Sequence, residues 1–135
     1  MPNIINVEKL IDVISGFVHS EGYEINKIQY NFVSSSKMQT LNKKFLNHHT
    51  ETDIITFNYT VAKKIEAEIY LCYSTIIKRA AEHRQVVENE VLRVVSHGVL
   101  HCMGYNDVSL IEKKVMRKKE DFFIKWFHVK HSDNV

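Results

Sequence analysis

Residues 91–107, VLRVVSHGVLHCMGYND, decide how the rest of the chain must be arranged. On a helix, Val91, Val94, Val95, Val99, Cys102 and Met103 spread over two apolar faces. The remaining stripe holds Glu90, Arg93, His97, Leu100 and His101. A helix apolar around most of its circumference belongs in an interior, so the pattern predicts a central helix over 87–103 whose polar stripe lines a cleft. The other elements must pack around it.

Upstream, Ile65, Ala67, Ile69 and Leu71 alternate with Glu66, Glu68, Tyr70 and Cys72, the period of a strand. IITFNY (54–59) reads as a second strand, and TVAKK (60–64) between the two is short enough for antiparallel pairing. A third strand is predicted around Ile28 to Val33. Val7, Leu10, Ile11, Ile14, Phe17 and Val18 repeat with helical period, with Asn6 placed to cap that helix and Gly22 to end it. Ser36-x-x-Gln39 reads as a capping box opening a helix that buries Met38, Leu41 and Phe45. From Ser74 onward the chain reads as helical, in segments 74–84, 87–103 and 109–128. The expected fold is α/β (α+β), a small mixed β-sheet packed against several helices in a single domain over 1–135.

The chain of 135 residues has ordinary apolar and charged fractions for a globular domain. No apolar run approaches the roughly 20 residues of a membrane span, and the N-terminus lacks an apolar leader segment. Cys72 and Cys102 are the only cysteines, with no disulfide-framework spacing, which points to a reducing, cytoplasmic setting. The net charge of +2 is uneven: residues 108–135 carry seven Lys/Arg against four Asp/Glu. That bias suits either a polyanion contact or a solvated helix face.

His97 and His101 are four apart, and Gly104 and Asp107 follow at three-residue steps. The pattern H-x-x-x-H-x-x-G-x-x-D is close to the zinc-protease spacing H-E-x-x-H-x-x-G-x-x-H. Residues four apart share a helix face, so two imidazoles can converge on one ion at roughly 2.0–2.1 Å. Gly104 can end the helix, and Asp107 can return with a carboxylate oxygen. Three protein ligands leave one position open, as in a catalytic site. Zinc suits two nitrogens and an oxygen, and other divalent ions are compatible. Gly98 stands where a peptidase has its glutamate, so nothing there takes the proton from water or returns it to a leaving amine; peptide hydrolysis is disfavoured. His48 and His49 read as loop residues, and His128 and His131 as structural. Cys102 points away from the ligand face.

HGVLHCMGYND (97–107) resembles the signature H-G-x-L-H-x-x-G-Y-D-H of the YbeY family, metal-dependent bacterial endoribonucleases of small-subunit rRNA maturation. LNKKFLNHHTETDIITF (41–57) is similar to that family's Leu-Asn helix and Thr-Asp strand, and IEAEIYL (65–71) takes the place of its Gly-Asp-Ile strand. The resemblance spans roughly 28–125. It implies a zincin-like metal-site helix with one Zn²⁺ per chain on His97, His101 and Asp107. It also implies a cytoplasmic endoribonuclease of 16S rRNA 3′-end maturation and ribosome quality control, with rRNA or the small subunit as partner and no membrane. Three departures stand out. Asp107 replaces a third histidine, Ala67-Glu68 replace Gly-Asp, and Leu46 falls where many members carry an arginine thought to serve RNA binding or cleavage.

RNA contacts are expected from Arg93, one turn before His97, from Arg79 and Arg84 on the preceding helix, and from Lys114 and Arg117 on the last. Arg93 has an alternative use in an ion pair with Glu90. On the last helix Lys113, Lys114, Arg117 and Lys118 would share one face, opposite Val115, Phe122 and Trp126. Two other functions fit the same residues: a non-catalytic, metal-stabilised RNA- or ribosome-binding assembly factor, and a metallohydrolase of another substrate.

Overall fold

A computed structural model describes residues 5–46 and 52–133, without the side chains of 45, 46 and 130–133. The expected burial of Phe45, the character of Leu46 and the readings of His48, His49 and the His131 side chain lie outside the described part. The elements run α1 (Val7–Ser20), β1 (Glu24–Val33), α2 (Ser35–Leu41), a π-helical turn (Asn42–Leu46), β2 (Ile54–Asn58), β3 (Lys64–Cys72), α3 (Tyr73–Glu82), α4 (Val87–Cys102) and α5 (Leu110–Asp133). The sheet has the order β1-β3-β2, with β1 parallel and β2 antiparallel to β3. It is a small mixed sheet in an α+β fold.

Strand β3 is central because its alternation is complete: Ile65, Ala67, Ile69 and Leu71 are all buried. They share a core with Val91, Leu92, Val95 and Val99 of α4, Leu10, Val13 and Phe17 of α1, and Met116, Phe123 and Phe127 of α5. On the opposite face Met38 and Leu41 of α2 cover Ile55 and Cys72. Helix α4 contacts β2, β3, α3 and α5, which is the interior position its two apolar faces require. Leu100, assigned to its polar stripe by spacing, is fully buried.

Three local expectations are corrected. Strand β1 begins at Glu24, four residues before Ile28, because its exposed first residues gain order from pairing with β3 and not from alternation. The cap of α2 is Ser34, whose hydroxyl accepts from the Lys37 amide at 3.2 Å; Ser36 lies inside the helix. Three consecutive serines offer the same chemistry, and the backbone leaving β1 selects the first. On α5 the buried stripe is Met116, Glu120, Phe123 and Phe127, while Val115 and Phe122 are exposed. Trp126 is half-buried over Gly16, where an added Cβ would lie 3.0 Å from the indole. Asn6 caps α1 through Lys9 N at 3.1 Å, and Gly22 ends it at φ +81°, as expected.

The β2–β3 hairpin turns through Ala62 at φ +53° and Lys63 at φ +61°, flanked by the Val61–Lys64 bridge. Two left-handed central residues make a type I′ turn, which favours Asn-Gly and strains residues with a Cβ. Ala62→Asn is therefore expected to stabilise the protein by about 1 kcal/mol, seen as a rise of roughly 4 °C in the thermal midpoint. Lys63 is left in place because its ammonium stands 6.0 Å from the centre of the Tyr23 ring. An unchanged or lower midpoint would show that the turn is not strained.

Candidate metal centre

His97 and His101 face the same point from successive turns of α4, their Nε2 atoms 3.0 Å apart. The chain then closes a Schellman turn. Gly104 N–H donates to His101 O and Tyr105 N–H to Leu100 O, both at 3.1 Å, with Gly104 at φ +91°. That reversal brings Asp107 back, with Oδ2 3.2 Å from His97 Nε2 and Oδ1 3.8 Å from His101 Nε2. Among the described residues this is the one group of three or more His, Cys, Asp or Glu side chains close enough to hold a metal ion.

Hydrogen bonds fix the ring tautomers. His97 Nδ1–H donates to Glu120 Oε2 at 2.7 Å, and His101 Nδ1–H to the carbonyl of Tyr105 at 2.9 Å. Each neutral ring then presents its Nε2 lone pair to the shared point, beside a carboxylate. Lone pairs so close together repel unless a cation lies between them. A tetrahedral ion with bonds near 2.1 Å separates its ligands by about 3.4 Å, close to the three distances found. The side chains fit a divalent ion, and their partial exposure leaves a way in from solvent.

The two rings differ electrostatically. Burial works against the proton on His97, but the hydrogen bond and charge of Glu120, with Asp107 and Asp53 behind it, leave its pKa raised. Burial lowers the pKa of His101 and the neighbouring His97 lowers it further, more than Asp107 and the Tyr105 carbonyl restore.

Two supports hold these rings, and neither was assigned from sequence. Buried Glu120 takes His97 on one oxygen and Arg93 Nη1 on the other, at 2.9 Å, while Arg93 Nη2 donates to Asp121 Oδ1 at 2.7 Å. Arg93 is thus paired with two α5 carboxylates and not with Glu90. The second support begins at Tyr105, whose hydroxyl donates to Glu21 Oε1 at 2.5 Å while Lys119 donates to Glu21 Oε2 at 2.8 Å. Burial would raise the Glu21 carboxyl, but Lys119 and Tyr105 outweigh it and hold its pKa below the usual range. The stabilisation this gives is present at neutral pH and is lost as pH falls through the lowered value.

A cleft of about 460 Å³ opens beside His97 and Asp107 between α3, α4 and α5. Arg79, Arg93, Arg117 and Lys113 line it, together with Asp53, Glu90 and His83. Arg79 Nη1 is 3.8 Å from Asp53 Oδ2. Lys114 is exposed and outside the lining. Arg84 is outside it as well, because it occupies the left-handed position (φ +55°) that ends α3, with Gln85 N–H donating to Ala80 O at 2.9 Å. His128 bonds Asn89 at 2.7 Å and ties α5 to the start of α4. Cys102 is buried, and burial pushes its thiol up to about 11.

Gly98 has a use that spacing alone did not reveal. A Cβ there would lie 3.0 Å from Ile54 Cδ1, 3.1 Å from Thr56 Oγ1 and 3.3 Å from Ile69 Cδ1. Helix α4 and strand β2 approach this closely only because the side chain is absent.

Fold and cluster together describe a small α+β protein built around a helix that can carry a metal centre. The family described as Endoribonuclease YbeY matches residues 4–128. The Endoribonuclease YbeY of Flavobacterium psychrophilum is 36% identical over 122 residues, covering 90% of this chain and 87% of that one. The Endoribonuclease YbeY of Cytophaga hutchinsonii is 40% identical over 102 residues, covering 75% and 71%. The solution structure of TM1509 from Thermotoga maritima superposes with a TM-score of 0.67 at 26% identity, covering 95% of this chain and 85% of that one. The chain belongs to the YbeY family of endoribonucleases, hydrolytic nucleases. The match reaches both sides of the 28–125 span over which the motifs carry the resemblance. Among the described residues no helix is long and apolar enough to cross a membrane.

Proposed function

We propose that this chain is a single-domain, zinc-dependent endoribonuclease that acts in the cytoplasm on small-subunit (16S) rRNA, in maturation of its 3′ end and in ribosome quality control. The observation that carries the reading is the convergence of His97, His101 and Asp107, with both Nδ1 atoms tied back, in a chain of the YbeY family. A zinc ion bound there would supply Lewis acidity and lower the pKa of a water molecule. The chain's own residues do the rest. Glu120 and the Tyr105 carbonyl hold the rings aimed, with both Nε2 atoms toward the shared point. Lys113, Arg117 and Arg79 offer positive charge to a phosphodiester in the adjoining cleft. Gly98 supplies no proton donor for an amine leaving group, whereas the metal and cations address the charge of a phosphodiester.

One observation favours a second reading, an RNA-binding assembly factor whose metal clasps the Gly104 turn. Arg93 is paired to Glu120 and Asp121, and Asp53 stands near Arg79, so the cleft has fewer uncommitted cations than its composition suggests.

The test is to incubate rRNA precursor with the protein as prepared, after chelation, and after return of single divalent ions, and to map the ends. Cuts lost on chelation and restored best by zinc are expected. Cuts indifferent to chelation would overturn the metal reading. RNA bound but uncut under every ion would favour the assembly factor.

A further inference from the structure

We propose that a second cleft, along the edge of β2 that no described strand pairs, is a nucleobase subsite that takes the base of the nucleotide beside the scissile phosphate. The inference rests on the endoribonuclease reading. This cleft, of about 320 Å³, lies against His97 and His101 and is otherwise lined by Ile54, Ile55, Thr56 and Asn58. The metal cluster therefore sits between two grooves of different character. One is lined by four Arg/Lys side chains as well as carboxylates; the other carries no Asp, Glu, Lys or Arg. An RNA strand crossing the cluster has two kinds of group to place, charged phosphates and neutral planar bases. The charged groove suits the first and the neutral one the second.

The edge of β2 supplies the means of reading a base. Cys72 N–H donates to Asp53 O and Tyr59 N–H to Glu66 O, at 3.0 and 2.7 Å. With the register Ile54↔Leu71 to Asn58↔Ala67, the ladder bonds of β2 fall at odd-numbered residues. The amides and carbonyls of Ile54, Thr56 and Asn58 consequently face away from β3, and β2 is an edge of the described sheet. They alternate donor and acceptor, as the hydrogen-bonding edge of a base does. Ile54 supplies apolar surface for a ring beside them. The Thr56 hydroxyl lies toward the Gly98 position, so the backbone is what Thr56 offers the base.

The test uses short RNAs spanning the mapped cut, each with one abasic residue, at successive positions on both sides of it. Binding is measured by fluorescence anisotropy in chelator, where the cut is suppressed, and cleavage after metal is restored. One abasic position immediately beside the scissile phosphate, on one side only, is expected to weaken binding and kcat/KM about tenfold. Thr56→Pro removes an outward N–H without removing a ladder bond. It is expected to cause the same loss with intact RNA and no further loss with that abasic RNA. Equal behaviour of all abasic RNAs overturns the subsite, and leaves the edge to another occupant such as an extended peptide. Cleavage without a one-sided effect overturns the subsite and leaves the endoribonuclease reading standing; a precursor that gives no metal-dependent cut to map overturns the endoribonuclease reading, and the subsite with it. If intact RNA is neither bound nor cut, both fall.

Discussion

His101→Ala is expected to lower RNA cleavage by at least about 10³-fold, since metal catalysis contributes several kcal/mol to the barrier and each 1.36 kcal/mol is a factor of ten. The ring is one of two imidazoles facing the shared point, and without it His97 and Asp107 remain with a single nitrogen between them. The side chain is about one-third exposed, so the fold should persist. The tautomer bond from Nδ1 to Tyr105 O goes with it, but the Schellman bonds that shape the turn are made by backbone alone. Ribosomal RNA end-mapping and metal content by mass spectrometry, on the variant and the parent side by side, check the result. Equal metal content and equal ends in both preparations would remove the cluster from the mechanism.

Glu120→Ala acts from behind the site. Its carboxylate is buried and serves two donors at once, His97 Nδ1 and Arg93 Nη1. Truncation leaves one arm of a largely buried guanidinium facing a void while Asp121 keeps the other, so the loss is expected to approach, at most, the about 3–5 kcal/mol of a broken buried pair. Loss of the partner that orients a metal-binding histidine typically costs 10–100-fold in affinity. Urea denaturation and a metal-competition titration should show both effects. Glu120→Gln, which keeps an acceptor and the shape but loses the charge, should fall between alanine and the parent in each. A Glu120→Ala protein within 1 kcal/mol of the parent, with unchanged metal affinity, would make this carboxylate incidental.

The parts that could be read from sequence are those whose periods are local. The α4 stripe, the four-residue histidine spacing, Gly104 and the β3 alternation each lie within one element and its turn, and apart from the buried Leu100 each places its residues as expected. Glu120 escaped because it is 23 residues from His97 and sits among lysines and an aspartate that read as a solvated face. A signal was present: Met116, Glu120, Phe123 and Phe127 follow helical spacing, and one acid on an apolar stripe asks for a buried partner. Arg84 carried no such signal, because an arginine in a left-handed helix end looks like any exposed cation. Tyr105 serves His101 through a backbone carbonyl, which composition cannot show. Whether an edge strand faces a groove depends on topology, and periodicity within one strand does not report it.

The tight approach at Gly98 also bears on what this scaffold can become. An engineer seeking peptide hydrolysis would place glutamate after the first histidine, one of the two positions, with Asp107, at which this motif departs from the protease pattern. Any such side chain begins with a Cβ, and that atom alone would press on Ile54 and Thr56 of the strand beside the histidines. The strand would have to retreat, and the histidine pair would lose the wall of its second groove. Exchange between the two chemistries therefore requires moving a strand as well as changing a codon, so the architecture itself guards the reaction class.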